Sequence, residues 1–221
     1  MKPQLIIFAS GTAAGGGSGF ENLVRASREA QGDLDAEIVA VVSNHAHGGV
    51  RARAERLGVP FVYFPGPFTA AEYRRIVAES GVGWVALSGW LKHVEGLDPR
   101  RTFNIHPALL SQLDGRFGGK GMYGHHVHEA VKRAFDAGEI DHSGITMHFV
   151  TDEYDRGPVF FEYTVPLAPG MSAEEVGAAV NAAEHLWQPK ITNMVVHEEI
   201  GWDGSDRAGL RVPKGYLHLP Q

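Results

Sequence analysis

Apolar positions along the chain fall into short runs separated by polar or glycine-rich segments, and the period of each run assigns an element. Leu5 to Ala9 is continuously apolar and reads as a buried strand leading into a glycine loop. Phe20 to Gln31 puts Leu23, Ala26, Ser27 and Ala30 on one helical face. Glu37 to Ser43 is a second strand, Val50 to Leu57 a helix stopped by Gly58, and Phe61 to Phe64 a short strand. Thr69 is the expected cap of a helix from Ala70 to Ser80, stopped by Gly81, and Trp84 to Leu87 is the next strand. Strands without a polar face, alternating with helices, predict a parallel sheet covered on both sides.

After residue 100 the pattern changes. Asn104-Ile105-His106 closes a strand, a glycine-rich loop runs from Gln112 to Gly124, and a helix covers His125 to Ala137. Strands at Ile145 to Val150 and Val159 to Val165 flank the tight turn Asp152-Glu153-Tyr154-Asp155-Arg156-Gly157. A long helix from Ser172 to about Val196 opens with Ser172-Ala173-Glu174-Glu175, the pattern of a capping box. The tail from Gly201 is expected to hold an edge strand and a loose end. The predicted architecture is a single α/β domain over 1–221 with a Rossmann-like, mostly parallel twisted sheet flanked by helices and an antiparallel portion in its second half. Residues 1–100 and 101–200 form two lobes, and 201–221 a tail.

Composition narrows the classes. The chain has 221 residues, 43% hydrophobic and 21% charged, as expected of a folded domain large enough for a full core. A net charge of −6 argues against a broad nucleic-acid or anionic-membrane surface. With no cysteine there is no disulfide, thiolate nucleophile or Cys-type zinc site. Neither a cleavable leader nor a run of ~18 apolar residues is present, so the expectation is a cytoplasmic protein without nucleic-acid or membrane partners.

The most informative segment for chemistry is Phe103-Asn104-Ile105-His106-Pro107. Side chains at i and i+2 of a strand share a face, so an amide donor and an imidazole converge where Pro107 ends the strand. An oxyanion donor beside a titratable ring is half of an acyl-transfer site. Asp155, held by the following Gly157-Pro158, is the candidate third member. Its carboxylate is expected to raise the His106 pKa above about 6.5. The loop Ser10 to Gly19 precedes a helix and suits phosphate binding, although it lacks both the P-loop lysine and G-x-G-x-x-G. Glu184 lies midway along the long helix and would suit a bound amine. His125, His126 and His128 look metallophilic, but no H-E-x-x-H occurs and no metal is expected.

Three segments together carry a resemblance. Asn104-Ile105-His106-Pro107-Ala108-Leu109-Leu110, Gly119-Lys120-Gly121-Met122-Tyr123-Gly124, and Ser143 through Asp155 to Pro158, with Ala183-Glu184-His185, are similar in order and spacing to the glycinamide ribonucleotide formyltransferases. The resemblance runs from Ile6 to about Trp202. It implies the formyltransferase fold and transfer of formyl from 10-formyltetrahydrofolate, the co-substrate, to the glycyl amine of glycinamide ribonucleotide in purine biosynthesis. It implies that Asn104 and His106 stabilise the oxyanion, with Asp155 holding His106 charged and relaying a proton. Gly17, Ser18 and Gly19 would hold the phosphate, and Glu184 the substrate amine or ribose. Leu91, Lys92, Val94, Val150, Asp152 and Tyr154 would enclose the folate pterin. A monomer or homodimer is expected.

The chain departs from the family pattern at five places. Its first loop has extra Ala/Gly, Gly19 stands where Asn is common, Lys92 stands where Arg is common, Ala70 lies near the place of an Arg, and the usual Leu-Leu-Pro is replaced at Leu110-Ser111 with extra residues to Gly118. The alternatives are an amino-sugar-nucleotide N-formyltransferase, a formyltetrahydrofolate hydrolase, whose usual N-terminal regulatory domain has no room before Leu5, or a non-catalytic folate- or nucleotide-binding protein. A methionyl-tRNA formyltransferase would need a further RNA-binding domain and a basic surface, and a histidine-metal hydrolase would carry stoichiometric metal.

Overall fold

In the computed structural model, which describes residues 1–220, strand and helix alternate through the first half as the apolar pattern requires. The elements there are β1 (Gln4–Phe8), α1 (Ser18–Arg28), β2 (Glu37–Ser43), α2 (Gly49–Leu57), β3 (Phe61–Tyr63), α3 (Ala70–Ser80) and β4 (Trp84–Ser88). The second half contains β5 (Thr102–His106), α4 (His125–Asp136), β6 (His142–Phe149), β7 (Val159–Pro166) and α5 (Ala173–Val196). One sheet runs through both halves in the order β3-β2-β1-β4-β5-β6-β7. Strands β1 to β5 pair in parallel, whereas β6 and β7 are antiparallel to their neighbours.

Each face of the sheet buries its own core, because alternate strand residues point to opposite sides. From β1, Leu5 and Ile7 join Phe20, Leu23 and Val180 on one side, while Ile6 and Phe8 join Tyr73, Val85 and Trp90 on the other. Burying each such side chain contributes about 1.5–3 kcal/mol. β1 lies between β2 and β4, so the chain leaves it first to one side and later to the other. Such a reversal opens a crevice beyond the carboxyl ends of the strands, and the end of β5 borders it.

Several details differ from the sequence reading. Helix α1 stops at Arg28 because Glu29 is extended (ψ 140°), leaving Ala30 and Gln31 outside it. Thr69 occupies the cap position of α3, but its hydroxyl makes no capping bond. The N–H of Ala70 donates instead to Glu95 Oε1 at 3.1 Å, a partner 25 residues away that no local pattern reveals. The capping box of α5 forms as expected between Ser172 and Glu175. The tail does not extend the main sheet: β8 (Gly201–Trp202) and β9 (Leu210–Arg211) pair only with each other, and the carbonyl of His218 accepts from the Glu162 N–H at 2.7 Å. No helix among the described residues is long and apolar enough to cross a membrane.

Candidate active site

A cavity of about 530 Å³ lies in the crevice and brings together the first loop, the ends of β4 and β5, the 119–124 loop, the 151–157 turn and one face of α5. Asn104 and His106 both line it, as their i, i+2 spacing on β5 dictates. The antiparallel pairing of β5 with β6 sets His148 directly opposite Asn104. Asp155 reaches the same point from the turn, in a left-handed conformation (φ 51°) that Asp tolerates better than most residues. Its turn is held tightly, since Gly157 packs against the carbonyl of Phe149 with no room for a Cβ.

Hydrogen bonds assign the ring nitrogens. His106 Nε2 donates to the carbonyl of Phe117 at 2.7 Å, which leaves Nδ1 free, 3.8 Å from Asp155 Oδ2. His148 Nδ1 donates to the carbonyl of Phe149 at 2.8 Å. Its Nε2 lies 3.1 Å from Asn104 Nδ2 and 3.4 Å from Asp155 Oδ1. With Nδ1 carrying a proton, Nε2 accepts from the Asn104 amide, and that bond orients the amide on the cavity wall. The N–H of Gly119 donates to Asp155 Oδ2 at 2.8 Å and ties the glycine loop to the carboxylate.

The electrostatics correct one expectation. Burial of His106 pushes its pKa below the ordinary imidazole value and outweighs the opposing pull of Asp155 and of the Phe117 carbonyl. Asp155 does not raise it above that value. Burial would also raise Asp155, but the adjacent His148 and His106 rings and the Gly119 N–H hold its carboxyl down at about 2. The resting pair is thus an aspartate beside a neutral imidazole whose Nδ1 lone pair is available.

The other end of the cavity is built on α1. Gly17 takes a left-handed conformation (φ 82°) at the helix cap and supplies no side-chain capping group. The N–H groups of Ser18, Gly19 and Phe20 therefore have no intrahelical acceptor, which is the arrangement that binds an anion. The extra residues of the first loop do not disturb it. Thr12 and Gly15 close a turn on each other through Thr12 N–H to the Gly15 carbonyl (2.8 Å) and Gly15 N–H to Thr12 Oγ1 (2.9 Å). A Cβ on Gly16 would lie 2.6 Å from the Cα of Gly11, so the chain returns to the point from which it left.

Glu184 faces the cavity from α5, with Asn181 Nδ2 donating to its Oε2 at 3.2 Å. Burial pushes its carboxyl up to about 7, against the lowering effect of Asn181. The folded protein then binds more protons than the unfolded chain between the ordinary value of 4.5 and about 7. This contribution is fully favourable below 4.5 and is lost as pH rises through 7. Glu184→Gln is therefore expected to stabilise the protein by roughly 1–3 kcal/mol at pH 8.5 and hardly at all at pH 4.5, in denaturant midpoints at the two pH values. Equal gains at both would contradict the assignment.

Of the residues expected around the pterin, Leu91 and Tyr154 line the cavity, but Lys92, Val94, Val150 and Asp152 do not. Val94 and Val150 pack into the core, Lys92 lies over the Phe68 ring, and the Asp152 carboxylate accepts from the Gly96 N–H at 2.9 Å. His93 closes the gap between the two segments: its Nε2 bonds the Asp152 carbonyl at 2.8 Å and its ring lies 4.4 Å from that of Tyr154. Sequence reasoning did not single out His148, Asn181 or Gln188. A polar stripe at i, i+3 and i+7 of the helix was the available signal for the last two. Among the described residues, one group of three, His125, His126 and Glu129, holds side-chain ligand atoms within 4.8 Å of one another and could take a metal. It is exposed, at the start of α4.

Known proteins share the sequence pattern and the fold. The family profile described as formyl transferase matches residues 4–192. Two chloroplastic phosphoribosylglycinamide formyltransferases, from Arabidopsis thaliana and Vigna unguiculata, are each 32% identical over 91% of the chain, which spans 68% and 63% of their respective lengths. The crystal structure of phosphoribosylglycinamide formyltransferase from Brucella melitensis is 32% identical and superimposes with a TM-score of 0.71, covering 89% of this chain and 96% of that one. The chain belongs to the formyl transferase family, in its phosphoribosylglycinamide formyltransferase branch.

Proposed function

We propose that the protein transfers the formyl group of 10-formyltetrahydrofolate to the glycyl amine of glycinamide ribonucleotide, a step of purine biosynthesis. The observation that carries this reading is the convergence of Asn104, His106 and Asp155 at one end of a cavity whose other end is the uncapped start of α1.

In this reading the acceptor amine attacks the formyl carbon, a C–N bond forms, and the carbonyl oxygen becomes an oxyanion. Asn104 donates an amide hydrogen to that oxygen from a fixed orientation. His106 is neutral at rest and takes a proton on Nδ1 as the negative charge develops, so it donates to the oxyanion only when the charge is there. Asp155 lowers the cost of that cation. The proton His106 takes is the one lost by the attacking nitrogen, relayed through water and Asp155, and it returns by the same route to the folate nitrogen as the C–N bond to the formyl group breaks. No covalent enzyme intermediate is needed, because the substrate amine is itself the nucleophile. Leu91 and Tyr154 mark the pterin side, with Lys92, Val94, Val150 and Asp152 shaping it from behind, while Gly17, Ser18, Gly19 and Glu184 take the acceptor.

The test is the absorbance change of formyl-folate with and without glycinamide ribonucleotide. Consumption that requires the ribonucleotide supports the reading. Consumption without it would make the protein a hydrolase, and no consumption in either case would direct attention to amino-sugar nucleotides.

A further inference from the structure

Helix α5 turns three polar side chains toward the cavity, Asn181, Glu184 and Gln188, spaced so that they share a face. The third has no part in the chemistry above, yet it is almost wholly buried. Gln188 is 1% exposed, and Ser88, at the end of β4, is 7% exposed. Ser88 Oγ donates to Gln188 Oε1 at 3.4 Å. With its oxygen taken, the amide is left with the two N–H donors of Nε2, and the described residues supply no acceptor for them. Nε2 is not among the buried atoms left without a partner, so its donors open on the cavity that Gln188 lines.

The neighbour of this pair is the anion-binding end of the cavity. A Cβ on Gly19 would overlap Ser88 Oγ and lie 3.2 Å from Gln188 Oε1. The Ser88–Gln188 pair therefore fills the space that a side chain at position 19 would need. The free N–H groups of the first turn of α1 and the amide of Gln188 are adjacent. The helix N–H groups are donors, and although Oε1 is the Gln188 atom nearest position 19, the Nε2 donors belong to the same planar amide; none of these groups carries a formal charge. Arg53, beside Gly17, is tied to Glu21 at 2.9 Å.

We propose that Gln188 is an acceptor-specificity residue whose amide donates to the phosphate of the ribonucleotide held at the start of α1, with Ser88 fixing the amide's orientation. The proposal rests on the acceptor reading given above. It assigns to α5 a contact that position 19, as glycine, cannot make from the loop.

The experiment compares Gln188→Leu with the parent enzyme, varying ribonucleotide and formyl-folate separately. The expected result is a ribonucleotide KM raised about 10- to 100-fold, the range for losing a hydrogen bond to a charged group, with the formyl-folate KM unchanged. Inorganic phosphate, used as a competitive inhibitor of the parent, should lose potency against the variant by a similar factor. The dephosphorylated ribonucleoside should serve both enzymes equally. Ser88→Ala keeps the amide but frees it to turn, and should raise the same KM by a smaller factor. It carries the test if Gln188→Leu fails to fold. An unchanged ribonucleotide KM in an active variant, or an equal rise in both KM values, would overturn the proposal. Should the parent show no ribonucleotide-dependent activity, the functional reading fails. Titration of inorganic phosphate followed by 31P NMR then judges Gln188 separately: weaker binding to the variant supports its role, and equal binding sinks it.

Discussion

Asp155→Asn is expected to lower kcat by about 10²- to 10⁴-fold, the usual contribution of a positioned acid–base group. Its effect on formyl-folate affinity should stay within about twofold. The asymmetry follows from the geometry. The carboxylate faces His106 Nδ1 and His148 Nε2 at 3.8 and 3.4 Å, so its charge acts on the proton inventory. Asparagine retains the acceptor oxygen that Gly119 can bond and the left-handed backbone the turn requires. It cannot receive a proton or offset the cost of a buried imidazolium. Single-turnover measurement of formyl transfer, beside a folate binding isotherm, separates the two effects. Full turnover by the variant would remove Asp155 from the chemistry.

Asn104→Ala is expected to cost about 10²- to 10³-fold in kcat, as when one oxyanion donor is removed. KM should move far less, because the donor matters most once the oxygen carries charge. The amide also bonds His148, so the substitution releases that ring from one side. The Phe149 carbonyl still holds Nδ1, and near-ultraviolet circular dichroism should report an unaltered fold. A loss expressed in KM rather than kcat would mean that Asn104 positions substrate in the ground state.

The convergence of Asn104, His106 and Asp155 was legible because two of them share a strand face and the third sits against Gly157-Pro158, all local features. His148 was not, although it stands opposite Asn104, because strand register depends on how β5 and β6 meet and not on either segment alone. The His106 pKa was misjudged for a related reason. Sequence shows the neighbouring charge but not the depth of burial, and here burial decides the direction. Thr69 shows the same limit on a smaller scale: the cap-type residue is at the cap, yet a distant glutamate does the bonding. The mostly parallel sheet with its antiparallel portion could be foreseen because continuous apolar runs between helices permit few other arrangements.

The closed turn at residues 12–15 leaves and rejoins the chain at Gly11 and Gly16, with Ala13 and Ala14 exposed at its tip. For protein engineering this makes the tip a splice point. Doubling the length of a flexible loop costs only about 0.6 kcal/mol, and the entry and exit are already side by side. A short tag or fluorophore-bearing peptide placed between Ala13 and Ala14 would ride at the rim of the acceptor crevice. It could report occupancy there while the start of α1 keeps its own geometry.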